Sequence, residues 1–571
     1  MRRPPASVSV DVAVSLAVAV AVLGPLLVGG GFWLVGDMVF VPRQPWKDAW
    51  LGLDESLPRA VPMDALVSLA SQVLPGALVQ RVLLLGGFLA GGVGVARLVA
   101  RSTAARATGH RWYARAAATT LFCWNPWVLE RLLIGQWAIL LGYLLLPWVA
   151  LGALRLRQDP RDAGPAAVAL AAAAVCSPSS GAMAFAVLAV LALGRDRRTW
   201  LTVAVIGTVA NLVWAVPALT ADAVRVSTDG VFAAFAARAE SGAGVVASTL
   251  SLGGIWKTSI VPGERTSSVV VLLACLLSLA ALAGLRHAGP DRRRWLGLGL
   301  GALLVALVPA TGWGADLLES LASGVPGLAL LRDSHRFLAP FGLVLAIGAA
   351  HTVTHLRGLV RPRRGAWWSA VVLLVAAPVL LLPSLALGGG IPRSSYPQAW
   401  GDVAELVGDD DVTVVLPWTG SYRGYAWNDR RAVLDPAPRF LPGTVIVDDS
   451  VLLEDTVVPP EDPRVLAVAE ALEAADPAAA LRAEGVRWVL VEQGMVEVEV
   501  PPGTVRYDAD GLTLVDLAGG GTVADGPTAV RPEAPQVRRI LVGFGHGLAI
   551  LLLLAGVVAI LRTGSNGRHT T

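Results

Sequence analysis

Charge is scarce in this sequence. Only 16% of its 571 residues are Asp, Glu, Lys or Arg, where a soluble globular chain carries about 25%. Lysine is scarcer still, with just Lys47 and Lys257. A net charge of +3, with no basic tail and no interleaving of aromatic and basic residues, gives no footing for nucleic acid. The three cysteines, Cys123, Cys176 and Cys275, all fall inside apolar runs, which argues against a disulfide framework and a thiolate metal site. P-loop, GxGxxG, HExxH, GxSxG and paired CxxC patterns do not occur in a suitable context. No internal repeat is visible, which weighs against transporters built from two matching halves.

What the chain has is long apolar runs, with 54% of its residues hydrophobic. About 20 apolar residues carry a helix across the hydrocarbon core. That criterion predicts spans near 11–35, 79–99, 114–128, 137–154, 165–178, 181–194, 200–219, 268–285, 295–311, 337–356, 367–387 and 539–561. The first run is too long for a signal peptide and reads as an uncleaved span. Ser177-Pro178-Ser179-Ser180-Gly181 interrupts the apolar residues between 165 and 194, as a turn between two spans or a re-entrant point.

Charge placement orients the spans, because cytoplasmic loops collect Arg and Lys. With the N-terminus inside, alternate loops hold Arg101, Arg106, Arg111 and Arg115, then Arg155, Arg157 and Arg161, then Arg195, Arg197 and Arg198. Arg286 and Arg292 to Arg294 follow, then Arg357, Arg361, Arg363 and Arg364, then Arg562 and Arg568. The opposite loops hold acids such as Asp37, Asp54, Glu55, Glu130, Asp222, Asp229, Glu240 and Asp333. This bias predicts an even number of spans, and both termini in the cytoplasm.

Residues 388–538 break the apolar pattern. Val412 to Leu416 reads as a buried strand, 464–484 as an amphipathic helix, Arg487 to Glu492 as another strand, with short alternating runs near 496–500, 504–507 and 512–516. The fold class expected is an α-helical polytopic membrane protein of about 12 transmembrane helices, with a small extracytoplasmic α/β domain before the last helix. Its parts are 1–387, 388–538 and a final helix with cytoplasmic tail, 539–571.

Four clusters could carry chemistry. Asp37 follows the first apolar run, at a membrane exit where a carboxylate can act as a general base toward a hydroxyl; an interfacial acid facing water is the plainer alternative. Glu130, Arg131 and Gln136 lie among Trp124, Trp127 and Trp137, whose rings suit a membrane interface whether or not the polar residues do chemistry. Arg332, His335 and Arg336 fall about one helical turn apart and can converge on a phosphate, with Lys257 or Arg265 adding a further charge; snorkelling to headgroups is the alternative. Trp418, Tyr422 and Trp427 stand in a loop rich in aromatic and hydrogen-bonding groups, as sugar-binding loops do and as ordinary docking loops also do.

The layout resembles the GT-C glycosyltransferases, most closely the actinobacterial cell-envelope members of arabinofuranosyl- or mannosyltransferase type. The resemblance rests on the acid after the first span, on the segment Arg332-Asp333-Ser334-His335-Arg336-Phe337 before a late span, and on Val414-Val415-Leu416-Pro417-Trp418 and Gly485 to Val491 in the outer domain. It implies a polyprenyl-phosphate sugar as donor and an envelope glycan or glycolipid as acceptor. Asp37 would deprotonate the acceptor hydroxyl. Arg332, His335, Arg336 and Lys257 would hold the donor phosphate, and Trp418, Tyr422 and Trp427 the acceptor. The first loop has a single Asp where many members carry an acidic pair, so no metal and no cofactor are expected. Other classes in keeping with the sequence are a transporter or lipid flippase, and a non-catalytic envelope scaffold.

Overall fold

The computed structural model describes all residues except 1–5, 55–59, 102–111, 222–229, 326, 360–363, 453–456, 461, 532–533 and 567–571. Glu55, Arg106, Arg111, Asp222, Asp229, Arg361, Arg363 and Arg568 therefore lie outside the described residues.

Eight described helices are long and apolar enough to cross a membrane: Ser9–Leu27, Gly76–Arg101, Trp137–Gln158, Arg197–Thr220, Ser268–His287, Gly289–Ala310, Ser334–Leu356 and Gln536–Thr563. A bent pair, Val371–Leu381 with Pro383–Gly390, makes nine if it is one span, its halves meeting at 44°. The expected count of twelve is thus not reached by length and composition, and the shortfall has local causes. The run 114–128 is cut at Asn125-Pro126 into Trp112–Cys123 and Pro126–Leu133. Asn125 caps the second piece by accepting from the Val128 N–H at 3.1 Å, and Pro126 takes the first helical position, where its missing N–H costs nothing. The first helix stops at Leu27, so 28–38 is irregular chain outside it.

The residues expected at 165–194 form Gly164–Cys176 and Pro178–Ala192, joined at Ser177. At about 1.5 Å per residue the first is about 20 Å long, short of the hydrocarbon thickness. Ala166 packs on Gly152 while Leu191 O accepts from Arg157 at 3.1 Å, so both helices start and finish beside the same end of Trp137–Gln158. Ser180, near the turn, packs against Gly142. The pair is a hairpin that returns to its own side, which keeps the alternation of loop charges whether or not it spans.

Two ends of the bundle follow. One gathers basic loops: Arg101 bonds Gln158 at 2.6 Å, Arg157 pairs with Asp291 at 2.6 Å, and Arg294 donates to Val190 O at 2.7 Å. The other gathers 28–38, 130–136, 240–265, 333–336 and 382–394, and carries the small sheet domain. Trp137–Gln158 runs through the middle, 83% buried, whereas Gln536–Thr563 is only 17% buried and turns Ile540, Phe544 and Leu551 outward, as a lipid-facing helix does.

The sheet has strands β1 (Val412–Leu416), β2 (Thr444–Ile446), β3 (Trp488–Glu492), β4 (Thr504–Ala509) and β5 (Leu512–Asp516) in the order β2-β1-β3-β5-β4. β1 is parallel to β2 and β3, with Val414 opposite Val489, and the rest is antiparallel. Residues 496–500 form no strand. The helix expected over 464–484 is broken into Pro463–Leu472 and Pro477–Ala483, because Asp476 caps and Pro477 starts a new first turn. Period-two alternation assigns the faces. Val412, Val414, Leu416, Val489 and Val491 pack under those helices, while Val415, Trp488 and Leu490 join the core that runs into the helical bundle.

Candidate active site

Two glycines set Asp37 in place. Gly36 and Gly135 have φ of +52° and +79°, and a Cβ on Gly36 would meet Ile134 O while one on Gly135 would meet Val35 O, each at 2.0 Å. The close approach lets Asp37 N donate to Ile134 O at 3.0 Å. On its other side Gly36 bridges the sheet domain, donating to Ala432 O and accepting from Leu434 N, both at 2.8 Å. Asp37 is therefore held at the joint between bundle and domain, ten residues past the helix end rather than directly at a span exit. Tyr422, 385 residues away in sequence, donates its hydroxyl to Asp37 Oδ1 at 2.5 Å.

Behind this joint lies a buried charged network centred on Arg131, which is fully inaccessible. Its guanidinium donates to Gln136 Oε1 and to His335 Nδ1 at 2.9 Å, lies 3.9 Å from Asp333, and stacks over Trp127 at 5.4 Å. Asp37 and Arg336 also act on it electrostatically. An arginine only donates, so His335 Nδ1 accepts and its proton is on Nε2, directed at Gly253 O at 3.1 Å. The same Asp333 oxygen, Oδ2, accepts from Arg336 Nε at 2.6 Å. Glu130, 3.5 Å from His335 Nε2, lies on the short helix outside the spans; burial and then the charge of Glu240 push its carboxyl well above the usual range. Glu240 is held in turn by Arg265, 3.0 Å from its Nε, and Arg265 also donates to Ser251 at 2.8 Å.

These contacts bring together the first three clusters of the sequence, with some roles changed. His335 is fully buried with both ring nitrogens engaged inside the protein, so it supports Arg131 and presents nothing to a phosphate. Arg265 is likewise buried against Glu240. Arg332 and Arg336 are half-buried, as is Lys257, four residues beyond the Gly253 carbonyl that holds His335. Of the aromatic trio only Tyr422 is exposed beside Asp37. Trp418 is half-buried against the core beneath the domain helices, and Trp427, also half-buried, stacks on Tyr425 at 4.8 Å within a cluster including Tyr396 and Trp400. Glu240 and Gly253 had no local signal as parts of this network, since nothing near them in sequence shows their partners.

A second concavity, about 570 Å³, lies between residues 46–54 and 60–64 of the first long loop and residues 409–449 and 462–465 of the sheet domain. Arg464 crosses it to Asp54 at 3.2 Å, Arg439 to Asp64 at 2.9 Å, and Lys47 Nζ donates to Pro438 O at 2.8 Å. Burial lowers the Lys47 ammonium to about 7, against the opposing pull of Asp54. Among the described residues no three His, Cys, Asp or Glu side chains converge as metal ligands.

This fold of helical bundle and sheet domain has solved counterparts. The chain shares the fold of the mycobacterial arabinofuranosyltransferase AftD. A cryo-EM structure of AftD matches 91% of the chain with a TM-score of 0.55 at 18% identity, and the chain spans 40% of the AftD length. A cryo-EM structure of an AftD point mutant matches 89% of the chain and 41% of its own, with a TM-score of 0.54 at 18% identity. No protein-family model and no curated protein matches the chain. The likeness is one of fold, and the helical bundle with a small sheet domain near the C-terminus is as expected from the sequence, the count of twelve spans apart.

Proposed function

We propose that this protein is a membrane-embedded glycosyltransferase that moves a sugar from a polyprenyl-phosphate donor to a cell-envelope glycan or glycolipid. The observation that carries the reading is Asp37, gripped by Tyr422 and the Gly36/Gly135 contact at the joint of bundle and domain, with Arg131 behind it. Asp37 takes the proton of the acceptor hydroxyl as its oxygen attacks the anomeric carbon. The bond from that carbon to the phosphate oxygen breaks, and the lipid phosphate departs with the electron pair. Arg332 and Arg336 neutralise it, with Lys257 a further cation on the same side; Asp333 fixes the Arg336 fork for this task. The AftD fold supports this class of chemistry, and the basic loops at the opposite end support placing the joint and domain outside the cytoplasm, with both termini inside.

The test uses the full chain in nanodiscs with radiolabelled polyprenyl-phosphate arabinofuranose or mannose and an envelope glycan acceptor. Asp37→Asn abolishes transfer, and Tyr422→Phe lowers kcat by about 10–100-fold, the worth of a hydrogen bond to a charged group. Full transfer by Asp37→Asn would exclude the reaction proposed. A flippase or scaffold would show no transfer to depend on it.

A further inference from the structure

Where the first span ends, the glycines at 29–31 carry the chain away from the bundle, and two arginines from distant segments hold them. Gly29 and Gly31 have φ of +86° and +84°, a region that side chains resist. A Cβ on Gly29 would collide with the Arg393 guanidinium, so glycine also makes room for that head group. Arg393 donates through Nη1 to Val28 O and, at 3.2 Å, to Gly30 O. Arg81, on the helix Gly76–Arg101, donates through Nε to Leu26 O at 2.8 Å and through Nη2 to Gly29 O at 2.8 Å and Gly31 O at 3.1 Å. Its Nη1 donates to Ala77 O at 2.6 Å.

The balance of charge here is unusual. Every hydrogen bond of these two arginines among the described residues goes to a backbone carbonyl, and neither meets a carboxylate. The C-terminal end of a helix carries about half a unit of negative charge, so two guanidiniums set against it leave about 1.5 positive charges uncompensated. Arg393 is exposed, and its Nε and Nη2 have no partner among the described residues. Those two groups form the side-on edge of the guanidinium, which matches a pair of phosphate oxygens. An arginine that only snorkels keeps a mobile head among the headgroups. Here Nη1 is tied to two carbonyls, so the open edge has a fixed direction and loses less freedom on binding.

The surface beside the pair is apolar and open. Val28 is 72% exposed, Leu78, one turn before Arg81, is 41% exposed, and Leu387 packs against Gly24 of the first span yet is 59% exposed. Arginines at the end of such a strip attract anionic headgroups, with acyl chains lying along the apolar residues. The pair is also separate from the Asp37 site. The charge acting on Arg81 is that of Arg393, whereas those acting on Arg131 are Asp333, Glu130, Arg336 and Asp37, and the two sets share no member. Along the chain, the buried Phe32, Trp33 and Leu34 stand between the glycines and Asp37.

We propose that Arg81 and Arg393 form a binding site for the headgroup of an anionic phospholipid, whose acyl chains lie on Val28, Leu78 and Leu387. The site goes beyond the transfer reaction and does not depend on it: its occupant is a membrane lipid, and the sugar donor binds elsewhere.

The delipidated full chain in detergent is titrated with phosphatidylglycerol, phosphatidylcholine, polyprenyl phosphate and inorganic phosphate, followed by native mass spectrometry and unfolding temperature. Phosphatidylglycerol binds saturably, at least tenfold tighter than phosphatidylcholine, and raises the unfolding temperature. Arg393→Gln, at an exposed position, weakens it about tenfold, the worth of a hydrogen bond to a charged group, and leaves the binding of polyprenyl phosphate unchanged. Ser395→Asp, exposed beside the same glycines, keeps both arginines and supplies an anion from within the chain. It also weakens phosphatidylglycerol, with an unchanged unfolding temperature in the absence of lipid. Phosphatidylglycerol held no tighter than phosphatidylcholine, inorganic phosphate held as tightly as phosphatidylglycerol, or both variants binding as the wild type does would overturn the assignment. So would a parallel loss of polyprenyl phosphate in Arg393→Gln, which would give the pair to the donor.

Discussion

Replacing Arg423 by Met tests how the sheet domain presents Tyr422 to Asp37. Arg423 is buried next to Tyr422, and its Nε lies 2.8 Å from Glu492 on β3 and 3.3 Å from Asp435. It also donates to Gly420 O and, at 2.9 Å, to Pro417 O, so one side chain ties the short strand Tyr422–Arg423, paired antiparallel with Val433–Leu434, to the central sheet. Two buried carboxyls share this single cation. Burial, with Asp435 as the next cause, pushes Glu492 up to about 8, and the Tyr425 hydroxyl donates to it at 2.7 Å. Removing one partner of a buried pair costs about 3–5 kcal/mol, because the charges left behind stay desolvated. For a unit of about 150 residues this lowers the unfolding temperature by about 6–20 °C. The sign with pH follows from the raised value of Glu492. Its contribution to stability is fully present below the ordinary 4.5 and is lost as pH rises through about 8. Arg423→Met extends that decline, and the variant recovers on acidification as both carboxyls become neutral. Glu492→Gln removes this contribution to the slope. Unfolding in nanodiscs, followed by limited proteolysis of the sheet domain between pH 5.5 and 8.5, measures both effects. An unfolding temperature unchanged at pH 8, or a variant more stable at pH 8 than at 5.5, would refute the reasoning.

Further expectations concern the joint and the cleft. Gly135→Ala places a methyl 2.0 Å from Val35 O at a φ of +79° and displaces the Asp37 loop; sugar transfer falls about 100-fold at near-normal protein level, and wild-type transfer rates would show the contact to be dispensable. Lys47 is one of only two lysines, so peptide mass spectrometry reads its acylation directly. Its labelling rate rises through about pH 7 and levels off above, where an ammonium in water continues to gain up to about 10.4. The same depressed value means that the unfolded chain holds more protons between about 7 and 10.5, so the Lys47 contribution to stability grows with pH across that window. Labelling that still climbs steeply above pH 9 would show the amine to be fully hydrated.

Much of the architecture was local enough to be legible in the chain itself. A run such as 539–561 needs no partner to declare itself lipid-facing, because the solvent selects it by composition alone. Strands at 412–416 and 488–492 were readable because a strand buried on both faces is a continuous apolar run, and so was the break at Pro178, where proline removes a donor, whereas Pro126 and Pro477 divide stretches that read as one helix each. What composition could not fix was how many apolar runs cross: Asn125-Pro126 and Ser177-Pro178 divide runs whose hydropathy is continuous, and length in three dimensions decides.

The residues of the candidate site were visible as types, and their partnerships were not. Asp37, Arg131, His335 and Tyr422 stand out as polar groups beside apolar runs, but a sequence carries no sign that Tyr422 reaches back 385 positions to Asp37. Nor does it show that His335 has both nitrogens engaged inside the protein, or that Trp427 stacks on Tyr425, because burial and contact are properties of packing among distant segments. The apolar runs and the alternation of loop charge came from the sequence by itself, since each depends only on neighbours along the chain. The joint at Gly36 and Gly135, the network around Arg131 and the aspartate-lined cleft were decided by tertiary structure, since each is made of groups that meet only after the chain has folded.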